Sequence, residues 1–366
     1  MRIVVTGLSG NLGTALLRRL FGSRAGERHE VVGVCRRPPS GGEPYQLAEW
    51  VSLDLAADDA QTRLWQVFEG ADAVVHLAWD FQPSHDIRYM DRATVGGTRA
   101  VLAAADAAGV RHLVHMSSLG AYSPGPDPGT DGTSEATRID ESWPTQGIES
   151  LAYSRQKVAA ERMLDDYEGA GGRMTVTRLR PALVVQADAG SAILRYGMPP
   201  FVPSSVLSLL KVLPLDRRLV IQAVHSDDVA DAIVRVVEQR RGGAFNLAAE
   251  PPLHRDDIAA ALGARPVQLP GPLLRGATAL AWHARLQPLD PGWIDLAFAV
   301  PLLDASRARR ELGWTPRVDA REALAELVAG MRAGRGTPSP VLRPRRVLQE
   351  LGRLVTRGPV EQRRTP

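Results

Sequence analysis

The sequence predicts an α/β fold, a doubly wound parallel sheet with a smaller, discontinuous C-terminal domain. Three observations predict it. Short apolar runs alternate with helix-like stretches up to about residue 183. The first run ends in a glycine-rich turn that opens a helix. Beyond residue 183 the alternation gives way to proline-rich sequence with few clear strands. At 366 residues, 44% hydrophobic and 23% charged, the chain can build a large core and a second substructure.

Taken in order, "RIVVTG", "EVVGVC", "WVSLDL", "DAVVHLAW", "RHLVHMSS" and "MTVTRLRP" read as strands rich in Val, Ile and Leu. Between them, "NLGTALLRRLFG" and "VGGTRAVLAAADAAGV" read as helices. Strands that are apolar throughout, alternating with helices, belong in a parallel sheet covered on both faces. "RLVIQAVHSDDVADAIVRVVEQRRGGAFNLA" reads as strand, helix and strand returning to that sheet. Residues 1–184, with 217–248 returning, form the expected dinucleotide-binding domain, and 185–216 with 249–330 the substrate domain. The remainder, 331–366, is a basic tail rich in Pro and Arg. Its "GRGTPSP" reads as a flexible or extended spacer. Beyond it Val347, Leu348, Leu351, Leu354 and Val355 fall near helical spacing among arginines. That segment is either a basic amphipathic helix for an anionic membrane or a partner, or a partly disordered solubilising tail.

Charge and composition exclude several classes. Residues 331–366 hold nine arginines and two glutamates, a surplus of seven, so a chain of net charge +3 has a body of net −4. The basic character sits in the tail, which argues against a nucleic-acid partner. Cys35 is the single cysteine, so no intramolecular disulfide or cysteine-based zinc site can form, and its place in "VVGVCRR" fits strand packing. His112 and His115 should face opposite sides of a strand and His76 reads as packed, so no metal is expected. Asp227 and Asp228 read as acids complementing a helix N-terminus. The chain opens on "MRIVVTG" without a signal-like segment and has no apolar run of about 18 residues. A cytoplasmic protein with no membrane span is expected.

Chemistry enters at "TGLSGNLG". Gly7 and Gly10 let the backbone turn tightly and approach a pyrophosphate, the helix N-terminus supplies free N–H groups, and Gly13 permits close helix packing. A glycine turn after a strand and before a helix is the Rossmann-type context for a dinucleotide. The second strand ends in Cys35, Arg36 and Arg37, where an acidic residue would select NAD; guanidinium groups there suit the extra phosphate of NADP. Asp54 could accept from the adenine amino group or cap the next helix.

Tyr153 and Lys157 lie four apart in "LAYSRQKVAAERM", on one face of a predicted helix. Lys157 is one of two lysines in a chain with forty-two arginines. An ammonium beside a phenol, whose ordinary pKa is about 10, lowers it and makes tyrosine a usable acid/base. The pair alone is equally a solvated helix face.

Company changes its weight. "TGLSGNLG", Asp54 in "SLDL", "HLAW", "HMSSLGAY", "YSRQK", "RLRP", "VHSDDVADAI", "FNLA" and "DASRARRELGWTP" follow in order. Together they resemble the extended short-chain dehydrogenase/reductase superfamily, the NAD-dependent epimerase/dehydratase family, over about residues 1–330. The resemblance implies that Tyr153 is the acid/base, that Lys157 binds the nicotinamide ribose and tunes the phenol, and that Ser118 holds the substrate oxygen. It implies cofactor contacts from Gly7, Ser9, Gly10, Asn11, Leu12 and Gly13. Further contacts fall to Arg36, Arg37, Asp54, Leu55, Leu77, Ala78, Ser117, Pro181 and Leu183. It also implies a homodimer paired through helices around 95–109 and 153–168.

Several positions depart from sugar-nucleotide members of that family. Thr94 stands for the usual Asn of "NVxGT", Ser118, Leu119 and Gly120 for the "TDE" of dehydratases, and Ala182 or Leu183 and Ile221 for groups that hold a sugar diphosphate. Trp79, Phe81, Trp143 and the apolar 196–210 region would line the pocket, unless they merely pack. The reading is an NAD(P)-dependent reductase or dehydrogenase acting on a small, moderately apolar carbonyl or alcohol, with a sugar or sugar-nucleotide epimerase as alternative. A catalytically silent NADP-binding regulatory protein is the alternative of another class.

Overall fold

The first strand, β1 (Arg2–Thr6), is buried along almost its whole length, and Val4 and Val5 face opposite cores. The computed structural model describes residues 1–22, 29–80, 86–125, 137–197, 204–284 and 289–345. Phe81 and the apolar positions 347–355 of the tail lie outside these residues. Around β1 the chain lays down β2 (Glu30–Cys35), β3 (Glu49–Ser52), β4 (Ala73–His76), β5 (His112–Met116), β6 (Thr175–Pro181) and β7 (Gly243–Leu247). Their order is β7-β6-β5-β4-β1-β2-β3, all parallel. The direction of winding reverses between β1 and β4, so a crevice opens at the carboxyl ends of those two strands.

Helices cover both faces, as the unbroken apolar strands require. On one face α1 (Asn11–Gly22) packs beside α5 (Ser226–Gln239) over Ile3, Val5, Val75 and Val114. On the other, α2 (Ala60–Phe68) packs beside α3 (Gly97–Ala107) over Val4, Val32, Val74 and Leu113. Gly13 is what lets α1 come close: a Cβ there would stand 2.2 Å from the Leu8 carbonyl oxygen. Just before α3 the helix opens into a π-turn at Arg92–Gly96.

The return after residue 217 differs from the sequence expectation in one respect. Strand β7 joins the main sheet, but Ala223–His225 pairs with Leu183–Val185 in a separate two-stranded sheet. Asp228 is not a simple dipole acid either. It is buried in α5, and its carboxylate accepts from the backbone N–H groups of Arg317 and Val318, tying the segment after "GWTP" to that helix. A further core gathers Val185, Leu253, Ala323, Leu324 and Leu327 around the Ala320–Arg332 helix.

The "GRGTPSP" spacer is packed, not loose. Ser339 is fully buried and donates to the Ser9 carbonyl at 2.6 Å. Tyr45 links Thr14 of α1 to Thr337 at 2.8 and 2.6 Å. Arg195 donates to the Val341 and Arg343 carbonyls, and Leu342 is buried. Glycine and proline announce an irregular backbone, but Ser9 and Tyr45 lie 330 and 292 residues away in sequence, so spacing could not reveal them. No described helix is long and apolar enough to cross a membrane.

A buried cluster of ion pairs locks α4 (Ala152–Gly169) onto the sheet, and Arg178 of β6 joins it 3.2 Å from Glu161. Arg180 at the end of β6 clasps the Glu161 carboxylate with two bonds of 2.9 Å, and Ser117 after β5 donates to it at 2.5 Å. Burial alone would raise the Glu161 carboxyl, but the Arg180 and Ser117 bonds outweigh it and hold the group below its ordinary value. Glu161→Gln should cost about 3–5 kcal/mol, because it leaves Arg180 buried without a counter-charge. Denaturant unfolding measures the loss, and replacing both residues by Met should recover much of it.

Buried histidines add an acid limit. Burial drives His76 down to about 3 and His112 to about 4, so both are neutral in the fold. The unfolded chain takes up protons below about pH 6.5 and the folded chain does not, so stability falls as pH drops from 6.5 towards 4. By pH 5 each histidine should cost about 2 kcal/mol. Melting temperatures between pH 7.5 and 5 test this, and His112→Gln should flatten the slope.

Candidate functional site

Four strand ends deliver the proposed residues to one crevice. Gly7 follows β1, Leu77 to Trp79 follow β4, Ser117 and Ser118 follow β5, and Pro181 closes β6. Gly7 has φ +75°, and a Cβ there would lie 2.6 Å from the Ala78 nitrogen, so only glycine lets the β1 and β4 turns touch. Among the described residues a Cβ at Gly10 would meet the Gly7 carbonyl oxygen at 3.2 Å, and the start of α1 offers backbone N–H groups that suit an anion.

Other residues of this turn have protein partners. The Asn11 amide donates to the Val184 carbonyl and receives from Gln186, so it ties α1 to the Leu183–Val185 strand. Leu12 packs against the α1 core. Ser9 shares a hydrogen bond with the Cys35 thiol, whose pKa burial nonetheless raises. Leu55 fills the space beside Gly97, and Leu183 is 45% exposed.

At the end of β2, Arg36 is half-buried and Arg37 exposed. Arg36 donates to the Tyr89 hydroxyl, lies over its ring at 5.6 Å and stands 3.6 Å from Asp80. Tyr89 in turn donates to the Asp54 carboxylate at 3.0 Å. Asp54 does not cap α2, whose N-cap is Asp59; it accepts instead from the Ala56 N–H within its own turn. Burial pushes the Tyr89 phenol up to about 12.

The centre is aromatic. Tyr153 lies between Trp79, 6.4 Å away edge-on, and Trp293, 5.1 Å away and tilted by 34°. Gly120 makes room for its ring: a Cβ there would come within 3.1 Å of the Tyr153 ring carbon and 3.4 Å of the Ser118 hydroxyl. The Ser118 oxygen accepts from the Gly120 N–H at 3.0 Å and hydrogen-bonds Tyr153. Lys157, 2% exposed, donates to the Met116 carbonyl at 2.7 Å, and its Nζ lies 3.3 Å from the centre of the Trp79 ring system.

These contacts reverse one expectation from sequence. Burial pushes the Tyr153 phenol up to about 12, with the Ser118 hydrogen bond opposing, rather than down under the influence of lysine. The ammonium points at Met116 and the indole, 5.8 Å from the Tyr153 ring centre. Burial likewise drives the Lys157 pKa well below its ordinary value, with Glu161 one turn away opposing.

Trp143 packs in a small cluster with Tyr122, Ile139, Ala182, Leu303 and Leu119, the residue after Ser118. Thr94 is buried in the π-turn with its hydroxyl on the Met90 carbonyl. Sequence reasoning missed Trp293, Tyr89 and Glu161. Glu161 was within reach, since it follows Lys157 by four on the same helix; Trp293 carried no local signal.

Comparison with known proteins agrees with this architecture. A family model described as the NAD dependent epimerase/dehydratase family matches residues 3–248. An uncharacterised protein of Mycobacterium tuberculosis is 28% identical over 334 residues, 91% of this chain, and the chain spans only 30% of that relative's length. A sterol demethylase protein B of Methylococcus capsulatus is 26% identical over 366 residues, covering 91% of this chain and 98% of that protein. A crystal structure of UDP-glucose 4-epimerase from Stenotrophomonas maltophila, with bound NAD and formylated UDP-arabinopyranose, superposes with a TM-score of 0.66. It is 22% identical and covers 91% of this chain and 98% of its own, a likeness of fold. With the family model spanning the whole seven-stranded sheet and the crevice at its switch point, the chain belongs to the NAD dependent epimerase/dehydratase family.

Proposed function

We propose that the chain is an NAD(P)-dependent oxidoreductase acting at the carbonyl or secondary alcohol of a small, moderately apolar substrate. The observation that carries this is Tyr153 held between two indoles, with Ser118 bonded to it and Lys157 on the same helix. A dinucleotide fits the residues present. Glycines at 7 and 10 and the start of α1 would face the pyrophosphate, Asp54 and Arg36 the adenosine end, and Lys157 the nicotinamide ribose. Bound there, the nicotinamide would supply hydride transfer.

The chain's own part is proton transfer and orientation. In the direction of reduction the Tyr153 hydroxyl donates its proton to the carbonyl oxygen; in oxidation the phenolate takes it from the alcohol. A phenol pushed up to about 12 is protonated at neutral pH, which supports its role as the acid of a reductase. Ser118 holds the same oxygen, and the indoles keep water from it. Apolar walls favour an apolar substrate over a charged sugar nucleotide; the likeness to a sterol demethylase protein B supports the same choice. The epimerase remains the second reading, on the likeness to a UDP-glucose 4-epimerase.

Arg36 supports NADP over NAD, because a guanidinium at the end of β2 suits a ribose phosphate. The protein is proposed to work as a homodimer, on the family resemblance.

A panel of ketones, aldehydes, secondary alcohols and UDP-sugars, assayed with NADPH and NADH, tests the activity. Tyr153→Phe should lower turnover by at least about 10²-fold while the cofactor Kd stays within a few-fold; retained activity removes Tyr153 from its role. Turnover of UDP-sugars alone would favour the epimerase, and tight NADPH binding without any turnover the regulatory reading. Arg36→Glu should weaken NADPH binding by about tenfold or more and leave NADH unchanged or improved. Equal losses for both cofactors would remove the NADP preference.

A further inference from the structure

The contact between Trp79 and Lys157 is the feature the proposed chemistry does not use. Its ring system lies with its centre 3.3 Å from Lys157 Nζ, on an ammonium that is otherwise bonded to the Met116 carbonyl and closed off from water. A ribose hydroxyl bonding that nitrogen must come within about 3 Å of it. An indole at this range and a ribose cannot share the same face of the ammonium. The group assigned to the ribose is therefore already engaged by a side chain of the protein itself.

The indole is held there by little else of a polar kind. Its Nε1 is buried and finds no acceptor among the described residues. Its ring contacts are edge-on, with His115 at 6.0 Å and Tyr153 at 6.4 Å. An unpaired buried N–H disfavours this position, and the cation–π contact with a desolvated ammonium offsets it. Trp79 also sits one residue beyond Ala78, whose backbone abuts Gly7, so its side chain springs from the wall of the cofactor crevice itself.

We propose that Trp79 sets the affinity of this protein for its dinucleotide by competing for Lys157, and that cofactor binding expels the indole from the ammonium. The proposal rests on the cofactor reading given above. Expulsion turns Lys157 from the indole towards the ribose and leaves the indole N–H able to find water. The competition makes cofactor binding weaker than the same crevice would allow without it.

Binding of NADPH and NADH to the full chain, followed by fluorescence of the reduced nicotinamide, tests the proposal in wild type, Trp79→Ala and Trp79→Phe. Lys157 can be followed separately before cofactor is added, because the chain has only one other lysine, Lys211, which is exposed. Trinitrobenzenesulfonate labelling, resolved by peptide mass spectrometry, gives the ratio of the two rates. Trp79→Ala should bind the preferred cofactor about 10- to 30-fold tighter, the size of a desolvated cation–π contact, and label Lys157 several-fold faster relative to Lys211. Trp79→Phe, which keeps a ring in place, should fall between and guards against an unstable alanine variant. Unchanged or weaker cofactor binding by Trp79→Ala overturns the proposal even if labelling accelerates. Failure of wild type and both variants to bind either dinucleotide, with accelerated labelling, overturns the cofactor reading and the proposal with it. A variant that binds where wild type does not would support both.

Discussion

The Glu161 carboxylate is the constraint on which the site depends. It sits on α4 one turn beyond Lys157, 1% exposed, and joins three elements distant in sequence: Ser117 after β5, Arg180 at the end of β6 and the helix itself. Arg180 passes the connection on to the Tyr122 hydroxyl, which bonds Asn246 of β7. A network of this kind is favourable only when every member is satisfied, and that demand gives α4 one position against the sheet. Tyr153 and Lys157 are carried on that helix, so their reach towards Ser118 and Met116 follows from the carboxylate below them.

The same network sets the electrostatics. Lys157 loses most of its hydration in the crevice, and Glu161 is the carboxylate whose charge opposes the resulting loss of its proton. Tyr153 has no such support. Surrounded by indoles and turned away from the ammonium, its phenol rises to about 12. A phenol raised by burial thus stands near a lysine nitrogen set against an indole face.

Much of the architecture was legible because it rests on local periodicity. Each of the six early apolar runs overlaps a strand of the sheet, and the glycines at 7 and 13 stand where the chain needs close approach between backbones. Long-range contacts were not legible. "GRGTPSP" reads as a spacer on composition, yet Ser339 bonds the carbonyl of Ser9. Asp54 offered two readings, adenine contact or helix cap. The structure excludes the cap and puts the Tyr89 hydroxyl on the carboxylate, a contact between positions 35 apart. Trp143 and Trp79 looked alike as pocket aromatics, and only their neighbours separate them.

Sequence by itself determined the sheet, its glycine-rich turn and the placing of Tyr153 and Lys157 one turn apart, because these follow from residue type and from periods of two and 3.6. Tertiary structure alone decided what those two side chains face. The sign of a pKa shift depends on desolvation and on which charges lie within a few ångströms, and both are properties of packed surfaces. So an expected ammonium beside a phenol became an ammonium beneath an indole, with the phenol raised rather than lowered.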